Sequence, residues 1–117
     1  MAAGVVHIPW YATLFRGDTF AEALSEFAPT ALRYGATDYR IYRSKDDMYK
    51  FLHMATFEEK SQFEAYWYGP EFNHFRAAYS SYYQVPVLYV WNDMIIQGAL
   101  DEAPTSIVGA PAEGDTV

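Results

Sequence analysis

The chain contains no cysteine. That absence removes disulfides, thiolate zinc sites, iron–sulfur clusters and cysteine nucleophiles together, leaving oxygen and nitrogen groups to carry any chemistry. Bases are scarce as well: eight Lys plus Arg stand against fifteen Asp plus Glu in 117 residues, a net charge of −7. An acidic chain without a basic cluster neutralises few phosphates, so nucleic acid is not an expected partner. Long apolar runs are also missing. The longest, Val85 to Trp91, has seven residues, far short of the roughly 20 that cross a bilayer, so no membrane is expected. No basic segment leading into an apolar one opens the chain, and a soluble cytoplasmic protein is expected.

Histidine is limited to His7, His53 and His74, no two of them at i, i+2 or i, i+4, so no metal site is expected. The sequence has no G-x-S-x-G, no G-x-G-x-x-G and no Walker-type Gly-Lys-Ser, which leaves serine-nucleophile and phosphate-loop chemistry without a motif. Aromatics, by contrast, are plentiful: eleven Tyr, eight Phe and three Trp make 19% of the chain. Such an excess suits a lined pocket or a subunit interface better than a minimal core.

Composition shifts near Gly98. From there to Val117 the chain has four acids, two prolines, no bases and no aromatics. It reads as an acidic, flexible tail over 98–117, behind a single domain over 1–97. Within that domain Val5–Phe15 alternates like a strand that Pro9 must interrupt or bulge. Thr19 with Glu22 predicts a capping box, and Phe20, Leu24, Phe27 and Ala31 repeat at helical spacing up to Gly35, with a kink at Pro29. Tyr39–Arg43 and Tyr49–Phe57 predict a hairpin around Ser44-Lys45-Asp46-Asp47. Ser61 with Glu64 predicts a second cap, Gly69-Pro70 breaks that helix, and Glu71–Tyr83 resumes it. Val87–Ile95 closes the series as a strand.

The order β-α-β-β-α-β predicts an α+β, ferredoxin-like domain, a four-stranded antiparallel sheet with two helices on one face. On Tyr49–Phe57, Phe51, His53, Ala55 and Phe57 share one face while Leu52 and Met54 take the other. Neither face is polar, so a second copy of the sheet is the expected cover and a homodimer the expected assembly.

The stretches ALRYGATDYRIYRS, DDMYKFLHMATFEE and FEAYWYGPEFNHFRAAY together resemble the antibiotic biosynthesis monooxygenase-like group of dimeric α/β-barrel proteins, over about residues 5–95. The resemblance implies a pocket between sheet and helices in each subunit. It also implies one of several activities: oxygenation of quinols or polycyclic phenols without metal or flavin, haem degradation, or polyketide cyclisation. Members often carry a His two residues after the helix-breaking Pro, where this chain has Phe72. The haem-degrading branch pairs a Trp and a later His on the second helix with an Asn on the first strand. Trp67 and His74 match that pair in type at a shorter spacing, and His7 stands where the Asn belongs.

From the residues themselves, His74 is the first choice for proton transfer, in the polar patch Glu71-Phe72-Asn73-His74 just beyond the break. Trp67 and Asn73 complete a candidate catalytic group. A solvent-facing His and a core Trp are the plain alternatives. Candidate substrate contacts are His7, Arg40, Tyr42, His53 and Phe72. Arg40 and Tyr42 share a strand face that suits an acidic or phenolic ligand, whereas His53 lies mid-strand among apolar residues, where a neutral imidazole is tolerable and a charged one expensive. Two readings follow. One is a monooxygenase acting on a small phenolic or quinol-like molecule without a cofactor, the substrate supplying the electrons; a cyclase or haem-degrading relative is its neighbour on the same fold. The other is a non-catalytic ligand-binding or structural dimer, its pocket filled by Tyr and Phe.

Overall fold

The computed structural model describes residues 3–100 and 102–106, the last five as backbone. Strand β1 (Gly4–Tyr11) leads to helix α1 (Gly17–Phe27) and a 3₁₀ segment (Ala28–Tyr34). Strands β2 (Asp38–Arg43) and β3 (Lys50–Phe57), helices α2 (Lys60–Trp67) and α3 (Pro70–Ala78) and strand β4 (Val90–Asp93) complete the domain. A last pair, β5 (Ile96–Ala99) and β6 (Glu102–Ser106), follows.

The main sheet runs β2-β3-β1-β4 with every pair antiparallel, which is the ferredoxin-like arrangement. β1 is paired on both sides only over Gly4–His7; Pro9 lies beyond the end of β4, where its missing N–H removes no bond on that side. Alternation along the strands does the sorting. Val6, Ile8 and Trp10 of β1 and Phe51, His53, Ala55 and Phe57 of β3 are buried against Phe20 and Leu24 of α1, Phe63 and Tyr66 of α2, and Phe72 and Phe75 of α3. Each such ring contributes on the order of 1.5–3 kcal/mol by leaving water, which makes this layer the main source of stability. Gly4 is part of it, because a Cβ there would meet the Trp91 ring at 2.0 Å.

The opposite face has no covering element among the described residues. Its central row crosses the sheet as Arg40, Met54, His7 and Val90, and the next row carries Tyr42, Leu52 and Pro9. Their side chains are half-buried or exposed.

Several local expectations shift. α1 begins at Gly17 with Arg16 before it and no side-chain cap, so Thr19 lies inside the helix rather than capping it. At α2 the reciprocal box is made by Glu59 and Gln62, two residues before the Ser61–Glu64 pair. Pro29 tightens the chain into the 3₁₀ segment, which Gly35 ends at φ 100°, a conformation that favours glycine. The last strand of the main sheet is shorter than Val87–Ile95. The boundary expected at Gly98 falls inside β5, which pairs with β6 from Ile96↔Ser106 to Ala99↔Glu102. A hairpin therefore spans part of the segment read as a tail; residue 101 and residues 107–117 of that segment lie outside the described residues.

Candidate active site

His53 lies at the centre of the sheet–helix interior and is fully buried. Alternation along β3 turns it inward, and the register with β1 sets it opposite Ile8, beside Trp10. The Trp10 indole N–H donates to His53 Nδ1 at 3.4 Å. Indole nitrogen only donates, so Nδ1 accepts and the hydrogen of the neutral ring sits on Nε2, facing the Tyr66 hydroxyl at 3.4 Å. Burial pushes the imidazole pKa down to about 4, because charge is costly where no counter-charge compensates lost water. Burial also raises the Tyr66 phenol well above its usual value, with a smaller push from Glu71. His53 is thus neutral at pH 7, with one nitrogen accepting and one donating.

The ring centroids of Phe72 and His53 are 6.1 Å apart. Trp67 meets Phe72 edge-on at 4.8 Å. The guanidinium of Arg76 lies over both, 4.2 Å from the Trp67 ring and 4.8 Å from Phe72, and donates to the Trp67 carbonyl at 2.8 Å and Asn73 Oδ1 at 2.6 Å. Its Nη1 is buried without a partner among the described residues, and desolvation lowers its pKa. Four of the sequence-predicted residues therefore gather on this side of the sheet: His53 and Phe72 inside, Trp67 behind them, and Asn73 at the surface through Arg76.

The other four stand apart. His74 is exposed on α3. His7, Arg40 and Tyr42 lie on the uncovered face, across the sheet from His53. Sequence reasoning did not single out Trp10, Tyr66 or Arg76. Trp10 was in reach, since it shares a strand face with Val6 and Ile8; Tyr66 required knowing which side of α2 faces β3.

Four cavities of about 260–360 Å³ cluster where β1 ends and β3 begins. None is lined by His53, Tyr66, Phe72 or His74. The sheet–helix interior is filled by its own rings. Among the described residues no cluster of three or more His, Asp or Glu is placed to hold a metal ion, and no helix is long and apolar enough to cross a membrane.

No family model matches the chain and no curated protein matches it significantly. Solved structures do. A Nitrosomonas europaea protein provisionally named an antibiotic biosynthesis monooxygenase superposes with a TM-score of 0.70 at 17% identity, covering 86% of this chain and 92% of that one. A Bordetella bronchiseptica protein with the same provisional name gives 0.70 at 13% identity, over 86% and 100% of the two chains. NE2512 from Nitrosomonas europaea, of unknown function, gives 0.72 at 14%, over 85% and 95%. The β-α-β-β-α-β order, the sheet order and these superpositions agree: the chain has the ferredoxin-like fold shared by the antibiotic biosynthesis monooxygenase-like proteins.

Proposed function

We propose that this chain is a monooxygenase of small phenolic or quinol-like molecules, needing no cofactor and working as a homodimer, with the sheet–helix interior as its chamber and His53 as its base. The observation that carries the reading is a neutral imidazole held between the polar tips of Trp10 and Tyr66 inside an aromatic cage. His74, exposed on α3, has no such setting.

In the closed interior an imidazole of pKa about 4 is too weak to take a proton from a phenol near 10. A substrate hydroxyl that displaces the Trp10 N–H from Nδ1 meets the nitrogen that already carries the lone pair, while the Nε2–H stays on the Tyr66 hydroxyl. The anion left by proton transfer lies beside the imidazolium it forms, and that pairing favours the charged ring and offsets its burial. Nδ1 then accepts the phenolic proton. The phenolate ring carbon forms a bond to O₂, the imidazolium returns a proton to the peroxide, and the hydroperoxide loses water as its O–O bond breaks. Phenol plus O₂ gives quinone plus water; the substrate is the reductant. The apolar rings keep water from the anion and the peroxide.

Dimerisation is supported by the uncovered sheet face and by the β5–β6 hairpin, which forms a separate two-stranded sheet; a lone hairpin is marginal in water. Fold likeness to proteins named as monooxygenases supports the reaction class.

The packed interior favours a second reading, a ligand-binding or structural dimer without turnover. Oxygen uptake with phenols, hydroquinones and anthrones separates the two. The enzyme reading expects one O₂ consumed per quinone formed, and loss of that uptake in His53→Gln. Thermal stabilisation by a phenol without O₂ consumption supports the binding reading and overturns the enzymatic one.

A further inference from the structure

The cavity of about 360 Å³ at the start of α1 lies outside the His53 interior. Phe15, on its rim, has φ 68°, a left-handed backbone that is a genuine outlier for a bulky residue and costs free energy to hold. Its ring is nonetheless 87% exposed, so the strain is not repaid by burial. The turn is fixed from several sides. The Phe15 N–H donates to the Tyr49 hydroxyl at 3.3 Å, Thr13 N–H to the Tyr82 carbonyl at 2.9 Å, and the Arg16 guanidinium to the Ser81 hydroxyl at 2.6 Å. A strained, well-anchored and outward-facing phenyl is a presented group.

Below it, Met48 and Tyr49 form the other walls and buried Gly17 forms the floor. A Cβ on Gly17 would meet Arg43 Nη2 at 2.8 Å and the Met48 carbonyl at 3.2 Å. Arg43 is held by Nε, which donates to the Met48 carbonyl at 2.7 Å, and by Nη1, which donates to Asp18 at 2.9 Å. Its plane lies over Phe51 at 5.2 Å. The third arm, Nη2, donates to no acceptor among the described residues and borders the cavity beside Gly17.

We propose that this cavity binds a small aromatic carboxylate, its ring between Phe15 and the Met48–Tyr49 wall and its carboxylate on Arg43. A single flat ring suits the size, at the lower end of the roughly 300–1,000 Å³ of small-molecule sites. Aromatic and thioether walls favour an aromatic face. A guanidinium oriented by two bonds presents its free N–H to a carboxylate with little loss of freedom. Asp18 is 93% exposed in its side chain, so it balances Arg43 at the rim without closing the floor to an anion.

Benzoate titration of the full chain, followed by amide NMR shifts, tests the site, with benzyl alcohol as the uncharged comparison. Turnover is not read, so the result is independent of His53. Shifts confined to residues 15–18, 43 and 48–49 are expected, with benzyl alcohol at least about ten-fold weaker, the scale of one lost charge-assisted hydrogen bond. Gly17→Ala and Arg43→Gln should each weaken benzoate by a similar factor. Arg43→Gln also loses the Asp18 and Phe51 contacts, so Phe15→Gly provides the second line. Glycine accepts the positive φ, and this variant should melt higher while binding benzoate more weakly. Absence of shifts at saturating benzoate, equal binding of benzyl alcohol, or Gly17→Ala and Phe15→Gly titrating like the parent would each overturn the proposal.

Discussion

Trp10 donates its indole N–H to Nδ1 of His53 at 3.4 Å, and that single contact decides which nitrogen of the buried ring carries the hydrogen. The Nε2–H tautomer faces the Tyr66 hydroxyl. Nitrogen NMR of the imidazole should show one tautomer, and Trp10→Phe should produce a mixture of both.

The pH dependence of stability follows from the same burial. The folded pKa of His53, about 4, lies below the unfolded value near 6.5, so between these limits the unfolded chain binds the extra proton. Stability from this group is therefore full above pH 6.5, falls as pH drops toward 4, and levels off below. A shift of this size corresponds to about 3 kcal/mol. Denaturant unfolding from pH 4 to 7 should show that slope in the parent and its loss in His53→Gln. An equal slope in both would mean that another group carries it.

Turnover separates the histidines. With a phenol that consumes O₂, His53→Gln should lower the rate by about 10²–10⁴-fold, the usual range for removing a general base. His74→Ala, on the exposed side of α3, should stay within about two-fold, as a surface change away from the reacting atoms does. The reverse pattern would move the base to His74.

Assembly can be read by sedimentation at micromolar concentration. The uncovered row Arg40, Met54, His7 and Val90 should make the parent a dimer. Met54→Lys should give a folded monomer, since a second cation beside Arg40 would have to be buried between the sheets at a cost of several kcal/mol. A parent that sediments at 13.4 kDa would remove the sheet-to-sheet arrangement.

A chain ending at Gln97 loses the second half of β5, all of β6 and the residues beyond it. Because β5 and β6 form a sheet of their own, the melting temperature of the four-stranded domain should barely change. If the truncated chain becomes monomeric instead, the hairpin belongs to the subunit interface.

Much of this architecture was legible because it is written in local periods. The inward set Phe51, His53, Ala55 and Phe57 is a simple alternation, and the stop at Gly35 and the break at Gly69-Pro70 are backbone requirements of single residues. The α2 cap is not legible because Ser61–Glu64 and Glu59–Gln62 both offer a side-chain oxygen at the right spacing, and only the final helix axis selects between them. The β5–β6 hairpin is hidden in the sequence because residues 98–106 carry two acids, a proline and no aromatic ring, while pairing depends on a partner strand. The site was legible in its residue types and not in its geometry. The broken helix leaves open which side of α3 carries His74, and no spacing shows that Arg76 spans Trp67 and Phe72.

The filled interior makes time, more than affinity, the quantity a visiting molecule meets. Trp10, Tyr66 and Phe72 occupy the volume around His53, so nothing reaches the imidazole until rings move aside together. Association is then limited by how often the core opens. As ligand concentration rises, the observed rate should climb and flatten at the opening rate, whatever the ligand's intrinsic grip on the opened chamber. Cooling should slow this plateau steeply, and trimming Phe72 to leucine should raise it.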